Sequence, residues 1–190
     1  MRFRQVTMCN ALLVLFTSLA LAQTSRSKHQ IDVPYVPTTE GAVKAMLKLA
    51  DVKNSDIVYD LGCGDGRIVI AAAKEYGAHG VGIDINPERI QEAEGNARNA
   101  GVEKLVRFEE NDLFEADIHG ASVVTLFLLS SVNLKLRPKL LKDLKPGTRI
   151  VSNTFDMGDW KPDKELTLDN SLDEEGLSHK FFLWIVPERK

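Results

Sequence analysis

The sequence predicts an α/β fold: a mostly parallel sheet with helices on both faces and an antiparallel hairpin at its C-terminal edge. Three observations carry this. Short apolar runs of strand length alternate with helical runs from residue 57 to about residue 150, the pattern of a parallel sheet with right-handed crossovers. A glycine-rich turn, Asp60-Leu-Gly-Cys-Gly-Asp-Gly66, joins the first of these strands to the first helix after it. Such a unit binds nucleotide-like ligands at the carboxyl ends of strands. Last, two strand-like segments follow one another near the C-terminus with no helix between them, which directs them into an antiparallel pair.

Each element has its own signal. Pro34 and Pro37 favour an extended segment over residues 31–38. Thr38 or Thr39 can cap a helix in which Val43, Met46, Leu47 and Ala50 share one face. Ile57, Val58 and Tyr59 read as a buried strand that Asp60 ends, and Gly62, Gly64 and Gly66 turn the chain. The run from Gly66 to about Tyr76 is helical and stops at Gly77. His79–Ile85 is a second strand; Asn86-Pro87 caps a helix over Glu88–Ala100 that Gly101 ends. Leu105–Glu110 and Ser122–Leu129 are the third and fourth strands. Ser130–Leu144 is helical, with Pro138 expected to split it. Thr148–Thr154 is the fifth strand, and Lys164–Leu168 with Lys180–Val186 forms the closing hairpin.

The chain has 190 residues, 44% of them hydrophobic, enough for one sizeable core. Its first 22 residues differ from the rest. Arg2 and Arg4 precede the apolar run Ala11–Ala22, which ends in Ala20-Leu-Ala22. That order of basic start, apolar core and small-x-small site predicts a signal peptide cleaved after Ala22, and the run is too short to span a bilayer. The expected mature protein is exported, periplasmic or secreted. An uncleaved leader would anchor it in a membrane, and a misplaced start codon would leave it cytoplasmic. Cleavage removes Arg2 and Arg4 and takes the net charge from −3 to −5. An acidic chain argues against sequence-independent nucleic-acid binding. Cys63 would be the one remaining cysteine, which excludes an intrachain disulfide and a multi-thiolate zinc site. The four histidines show no metal-ligand spacing, so no metal is expected. Polar residues 23–30 read as a disordered linker ahead of a single domain over 31–190.

Two cofactor classes suit a strand–glycine turn–helix unit. A dinucleotide fingerprint would need glycine at position 67, where this chain has Arg67. Asp60 also sets a negative charge where a pyrophosphate would lie. S-adenosylmethionine carries an ammonium and a sulfonium and no phosphate, so it suits that acid. Asp84, twenty residues beyond Gly64 and followed by Ile85, can accept from both ribose hydroxyls. Asn111-Asp112-Leu113 ends the third strand, where Asp112 can accept from the adenine amino group and Leu113 can cover the ring. Each acid alone could be a turn residue; three at successive strand ends point to one ligand.

With Asp60–Gly66, Asp84 and Asn111–Leu113 together, the chain resembles the class I S-adenosylmethionine-dependent methyltransferases over about residues 31–187. The resemblance implies their Rossmann-like seven-stranded sheet. Pro34-Tyr-Val-Pro-Thr38, Phe127-Leu-Leu-Ser-Ser-Val-Asn133 and Lys145-Pro-Gly-Thr-Arg149 are similar to small protein-lysine methyltransferases, a group with a broad-specificity archaeal enzyme and mitochondrial enzymes acting on the ATP synthase c subunit and the adenine nucleotide translocase. It implies cofactor contacts at Tyr35 and Pro37, beside Asp60, Gly62, Cys63, Gly64, Asp84, Ile85, Asn111, Asp112 and Leu113, and a protein partner with an accessible lysine.

In-line methyl transfer needs the nucleophile held ~3–3.5 Å from the methyl carbon and water kept out. A lysine must also lose its proton, which a desolvated aromatic lining favours. Tyr35, Phe127, Phe155 and Trp160 are candidates for that lining, with core packing as the plainer role for the two phenylalanines. Ser130 and Asn133 can hydrogen-bond an incoming amine or cap the helix that begins there. The chain lacks the Asn/Asp-Pro-Pro-aromatic sequence of enzymes that methylate adenine or glutamine amino groups, and a Pro-Cys nucleophile. Lys135, Arg137, Lys139, Lys142 and Lys145 read as a solvated helical face, and the acids over 163–175 as a solvated edge or an attractor of basic substrates. A metabolite or lipid acceptor, and a non-catalytic cofactor-binding module, are the competing readings.

Overall fold

A computed structural model describes residues 36–168 and 179–189. The leader, the linker, Pro34, Tyr35 and the acidic residues Asp169, Asp173, Glu174 and Glu175 lie outside the described residues. The elements run α1 (Glu40–Leu49), β1 (Ile57–Leu61), α2 (Arg67–Tyr76), β2 (His79–Asp84), α3 (Pro87–Ala100), β3 (Val106–Glu110), β4 (Val123–Leu126), α4 (Ser130–Asp143), β5 (Arg149–Asn153), β6 (Lys164–Leu168) and β7 (His179–Ile185). The strands form one seven-stranded sheet in the order β3-β2-β1-β4-β5-β7-β6. The first five pair in parallel, and β7 is antiparallel to both β5 and β6. The expected hairpin is therefore present, with β7 inside the sheet and β6 at its edge. Lys164 and Glu165 on β6 are exposed, the polar finish that discourages edge pairing.

Two apolar layers sandwich the sheet. On one face α1 brings Val43, Met46 and Leu47, α2 brings Val69 and Ala72, and α3 brings Ala97 against Val58, Val106, Val123 and Val151. On the other, α4 brings Val132, Leu136 and Leu140 against Tyr59, Leu61, Val124, Leu126 and Trp184. Neighbouring strand residues such as Val58 and Tyr59 thus face opposite layers, as the two-residue strand period requires. Helix ends follow the local chemistry: Thr39 Oγ1 accepts from the Ala42 amide at 3.3 Å, Asn86 Oδ1 accepts from Glu88 at 2.9 Å, and α2 and α3 end at left-handed Gly77 and Gly101.

Four expectations are corrected by tertiary context. Asp60 does not end β1: it pairs with Gly82 of β2 and Thr125 of β4, and Leu61 continues both ladders. Conversely, β4 stops at Leu126 rather than Leu129, because its neighbour β1 has already turned away at Gly62. β5 falls one residue short at each end of the expected span, its far end set by left-handed Thr154. Pro138 does not split α4, which is continuous from Ser130 to Asp143. Pro138 and Leu134 both lie on the exposed side, where water can serve the carbonyl that proline cannot.

Candidate active site

The sheet order reverses between β1 and β4, and a cleft opens at the carboxyl ends of the strands there, as expected for an open α/β sheet. Gly62 lies in its wall and Gly66 just behind it. Both are left-handed, at φ 83° and 80°. A Cβ on Gly66 would lie 2.7 Å from Phe108 Cε1, and one on Gly62 would lie 3.0 Å from Leu128 Cδ2. The turn needs glycine here both for its backbone and for its close packing.

The cleft is lined by Pro37, Asp60, Gly62, Cys63, Asp84, Ile85, Asn111, Asp112 and Leu113, all expected from the sequence. Gly64 is not in the wall. Its amide instead donates to Asp84 Oδ2 at 2.9 Å, while the Asn86 amide donates to Asp84 Oδ1 at 2.9 Å. These bonds fix the carboxylate at the end of β2 and leave further lone pairs for a ligand. Asp112 Oδ1 likewise accepts from the Phe114 amide at 2.9 Å, and Asn111 Oδ1 accepts from the Asp112 amide at 2.8 Å. Shaping the turn and meeting a ligand are compatible roles for these side chains.

Asp60 is the chemical centre. Its carboxylate is almost fully buried, at 3% exposure, and accepts from Thr125 Oγ1 at 2.7 Å. Among the described residues, no cation lies within ion-pair distance of it. Burial raises its pKa to about 7, opposed by the Thr125 hydrogen bond and reinforced by the charges of Asp84 and Asp65. The buried acid is therefore poised to ionise when a small cationic group is held beside it. The two arginines in its wall already have carboxylate partners, Arg67 with Asp65 at 2.7 Å and Arg89 with Glu92 at 2.5 Å. The donor set fits S-adenosylmethionine: a buried acid for the ammonium, a fixed carboxylate for the ribose, and the Asn111–Phe114 turn for the adenine. Burial beside three acids pushes the Cys63 thiol well above its ordinary range, which leaves it inert as a nucleophile.

Of the channel candidates, Phe127 lines the cleft; Ser130, Asn133, Phe155 and Trp160 do not. Leu129, not Ser130, is the N-cap of α4, with no side-chain cap. Asn133 is fully buried, and its amide donates to the carbonyls of Phe155 and Asp156 at 3.1 and 3.3 Å, so it holds the loop after β5. Trp160 packs on Trp184 at 6.0 Å and accepts its indole N–H at 2.8 Å through the backbone carbonyl. The basic run is not uniformly solvated either: Arg137 pairs with Asp159, and Lys139 pairs with Asp143.

Sequence reasoning missed Val36, Thr38, Asp65, Arg67, Leu128 and Val132 in the wall. Arg67 had a signal, as the residue standing where a dinucleotide site has glycine. Its guanidinium forks Asp65 and donates to the Thr38 carbonyl at 2.7 Å, fastening the Val36–Thr39 strap to the glycine turn.

Relatives sharpen the picture. A protein-lysine N-methyltransferase of Saccharolobus islandicus is 46% identical over 83% of this chain and 96% of its own. A Xenopus laevis lysine N-methyltransferase of the ATP synthase c subunit is 34% identical over 80% of this chain, though this chain spans just under two thirds of it, 66%. A crystal structure described as an RNA methyltransferase from Salinibacter ruber in complex with S-adenosylhomocysteine is 53% identical, with a TM-score of 0.76 over 82% of this chain and 96% of that one. The family model of the ANTKMT methyltransferase domain matches residues 60–164, from the buried acid of β1 to the start of β6. On that match and the near full-length archaeal relative, the chain belongs to the family of the ANTKMT methyltransferase domain.

Proposed function

We propose that the protein is an S-adenosylmethionine-dependent methyltransferase whose acceptor is the ε-amine of protein lysines. The observation that carries this reading is the buried Asp60, with no cation beside it among the described residues, at the switch point of a methyltransferase sheet, in a chain 46% identical to a protein-lysine N-methyltransferase over 96% of that relative. Asp60 receives the cofactor's ammonium, Asp84 its ribose hydroxyls, and Asp112 with Leu113 its adenine. When bound, S-adenosylmethionine supplies an electrophilic methyl group on a sulfonium leaving group. This chain's part is to orient the acceptor and exclude water. Phe127 and Leu128 give an apolar wall that disfavours a charged amine and so promotes loss of the lysine's proton.

The Salinibacter structure favours a second reading, RNA as acceptor. The net charge of −3 and the acidic cleft weigh against it. Incubation with methyl-labelled cofactor, poly-L-lysine, a protein extract and total RNA separates the two. Label is expected in poly-L-lysine and protein; label in RNA alone overturns the lysine assignment, and label confined to small molecules points to a metabolite or lipid. Export is also part of the proposal, supported by Arg2, Arg4, the apolar run and Ala20-Leu-Ala22. Mass spectrometry of the cellular protein should find a chain starting at Gln23; an intact Met1 overturns cleavage.

A further inference from the structure

β5 ends in a turn that the cofactor site does not explain. Thr154 takes φ 68°, an outlier for a β-branched residue that persists only where its surroundings over-determine it. Here they do. The Thr154 amide donates to the Lys180 carbonyl at 2.6 Å, and the Phe155 amide to the Asn153 carbonyl at 2.8 Å. Behind the turn, Asn133 and Arg137 stand one helical turn apart on α4. The Asn133 amide donates to Ser152 Oγ at 3.3 Å as well as to the Phe155 and Asp156 carbonyls. Ser152 Oγ in turn donates to the Phe155 carbonyl at 2.6 Å. Arg137 donates to the Met157 carbonyl at 3.0 Å and pairs with Asp159. Strain and grip together set the place of one ring. Phe155 stacks on Phe127 with centroids 6.3 Å apart and planes 28° apart. Phe127 belongs to the cleft wall and Phe155 does not, so the stack carries an aromatic surface from the cleft toward the end of β5.

The geometry points to the Phe127–Phe155 stack as the wall that holds the aliphatic stem of the methyl acceptor, and to Thr154 as a positioning residue that sets Phe155 against it. This rests on the proposed transfer to a lysine amine. Aromatic faces bury such a stem, attract its ammonium on approach and desolvate the amine once seated. Thr154 touches no reacting atom and acts through the ring that follows it. A turn with no such duty would be served without strain by glycine.

The test is steady-state methylation of poly-L-lysine by Thr154→Gly and Phe155→Ala, with S-adenosylhomocysteine affinity from calorimetry and Tm measured on the same samples. Thr154→Gly relieves the strain and frees the turn. Its Tm should equal or exceed that of the wild type, while KM for poly-L-lysine rises about fivefold and kcat stays within about twofold. Phe155→Ala should raise that KM about tenfold. Both variants should bind S-adenosylhomocysteine as the wild type does. An active wild type whose variants keep its KM, or lose cofactor affinity in step with KM, overturns the inference alone. A wild type that binds S-adenosylhomocysteine yet leaves poly-L-lysine unlabelled overturns the lysine reading and the acceptor wall with it.

Discussion

One aspartate, Asp56, immediately precedes β1 and another, Asp60, lies inside it one residue before its end, and the two meet opposite fates. Asp56 and Asp60 are both nearly out of solvent, at 5% and 3% exposure, and burial works against ionising either one. At Asp56 the partners win. The Ser122 hydroxyl and the Lys53 amide each donate at 2.7 Å, and Arg149 pairs with it at 2.5 Å while also donating to the carbonyls of Ala50 and Asp51. Its carboxyl is held below the ordinary range despite burial. At Asp60 a single threonine hydroxyl faces burial and two neighbouring carboxylates, and the pKa rises to about 7. The amino end of the sheet is neutralised by the protein itself. At the carboxyl end the charge is left for a ligand to neutralise.

The contrast can be broken at either end. The largest effect is expected from Arg149→Ala, which strands the buried Asp56 and should cost about 2–3 kcal/mol in denaturant unfolding, with S-adenosylhomocysteine affinity unchanged. Because Asp56 is depressed, the gap should close in acid, as pH falls through its folded pKa. Asp60→Asn should act the other way: affinity for S-adenosylhomocysteine falls about 10- to 100-fold in calorimetry, while the free protein loses no stability at pH 8. The raised pKa gives this a sign. Between 3.8 and about 7 the folded protein holds a proton that the unfolded chain has released. Stability of the free wild type therefore falls as pH rises through that window, and the variant lacks the slope. Ligand affinity should rise over the same window, as the ionised form that pairs with an ammonium becomes populated. The smallest effect is expected from Arg67→Ala, which unfastens the Val36–Thr39 strap and should weaken the ligand about two- to fivefold.

The glycine turn, the ends of α2 and α3 and two acids on one rim, Asp84 at the end of β2 and Asp112 just after β3, were legible in the sequence because each is local. Gly77 and Gly101 stop helices through their own backbones, and Asn86 caps α3 through an atom two residues away from its donor. What the sequence did not show lies where a residue's neighbours are distant in sequence. Asp60 stays in β1 because Gly82 and Thr125 flank it. Asn133 serves a loop some twenty residues on, and Trp160 serves β7; no spacing rule reaches either. Arg67 was visible as a departure from one motif, but its hold on Thr38 required the fold.

By itself, the sequence determined the α/β architecture, the place of the cleft and three of the acids that line it, Asp60, Asp84 and Asp112. Those follow from periodicity and from the backbone freedom of a few glycines. Tertiary structure alone decided which acids keep a partner. Asp56 and Asp60 are the same residue type four residues apart, one just before β1 and one within it, and only packing brings Arg149 to the first and leaves the second facing Asp84 and Asp65. Charge in a buried site is set by what surrounds it in space, and that is where the two ends of β1 part company.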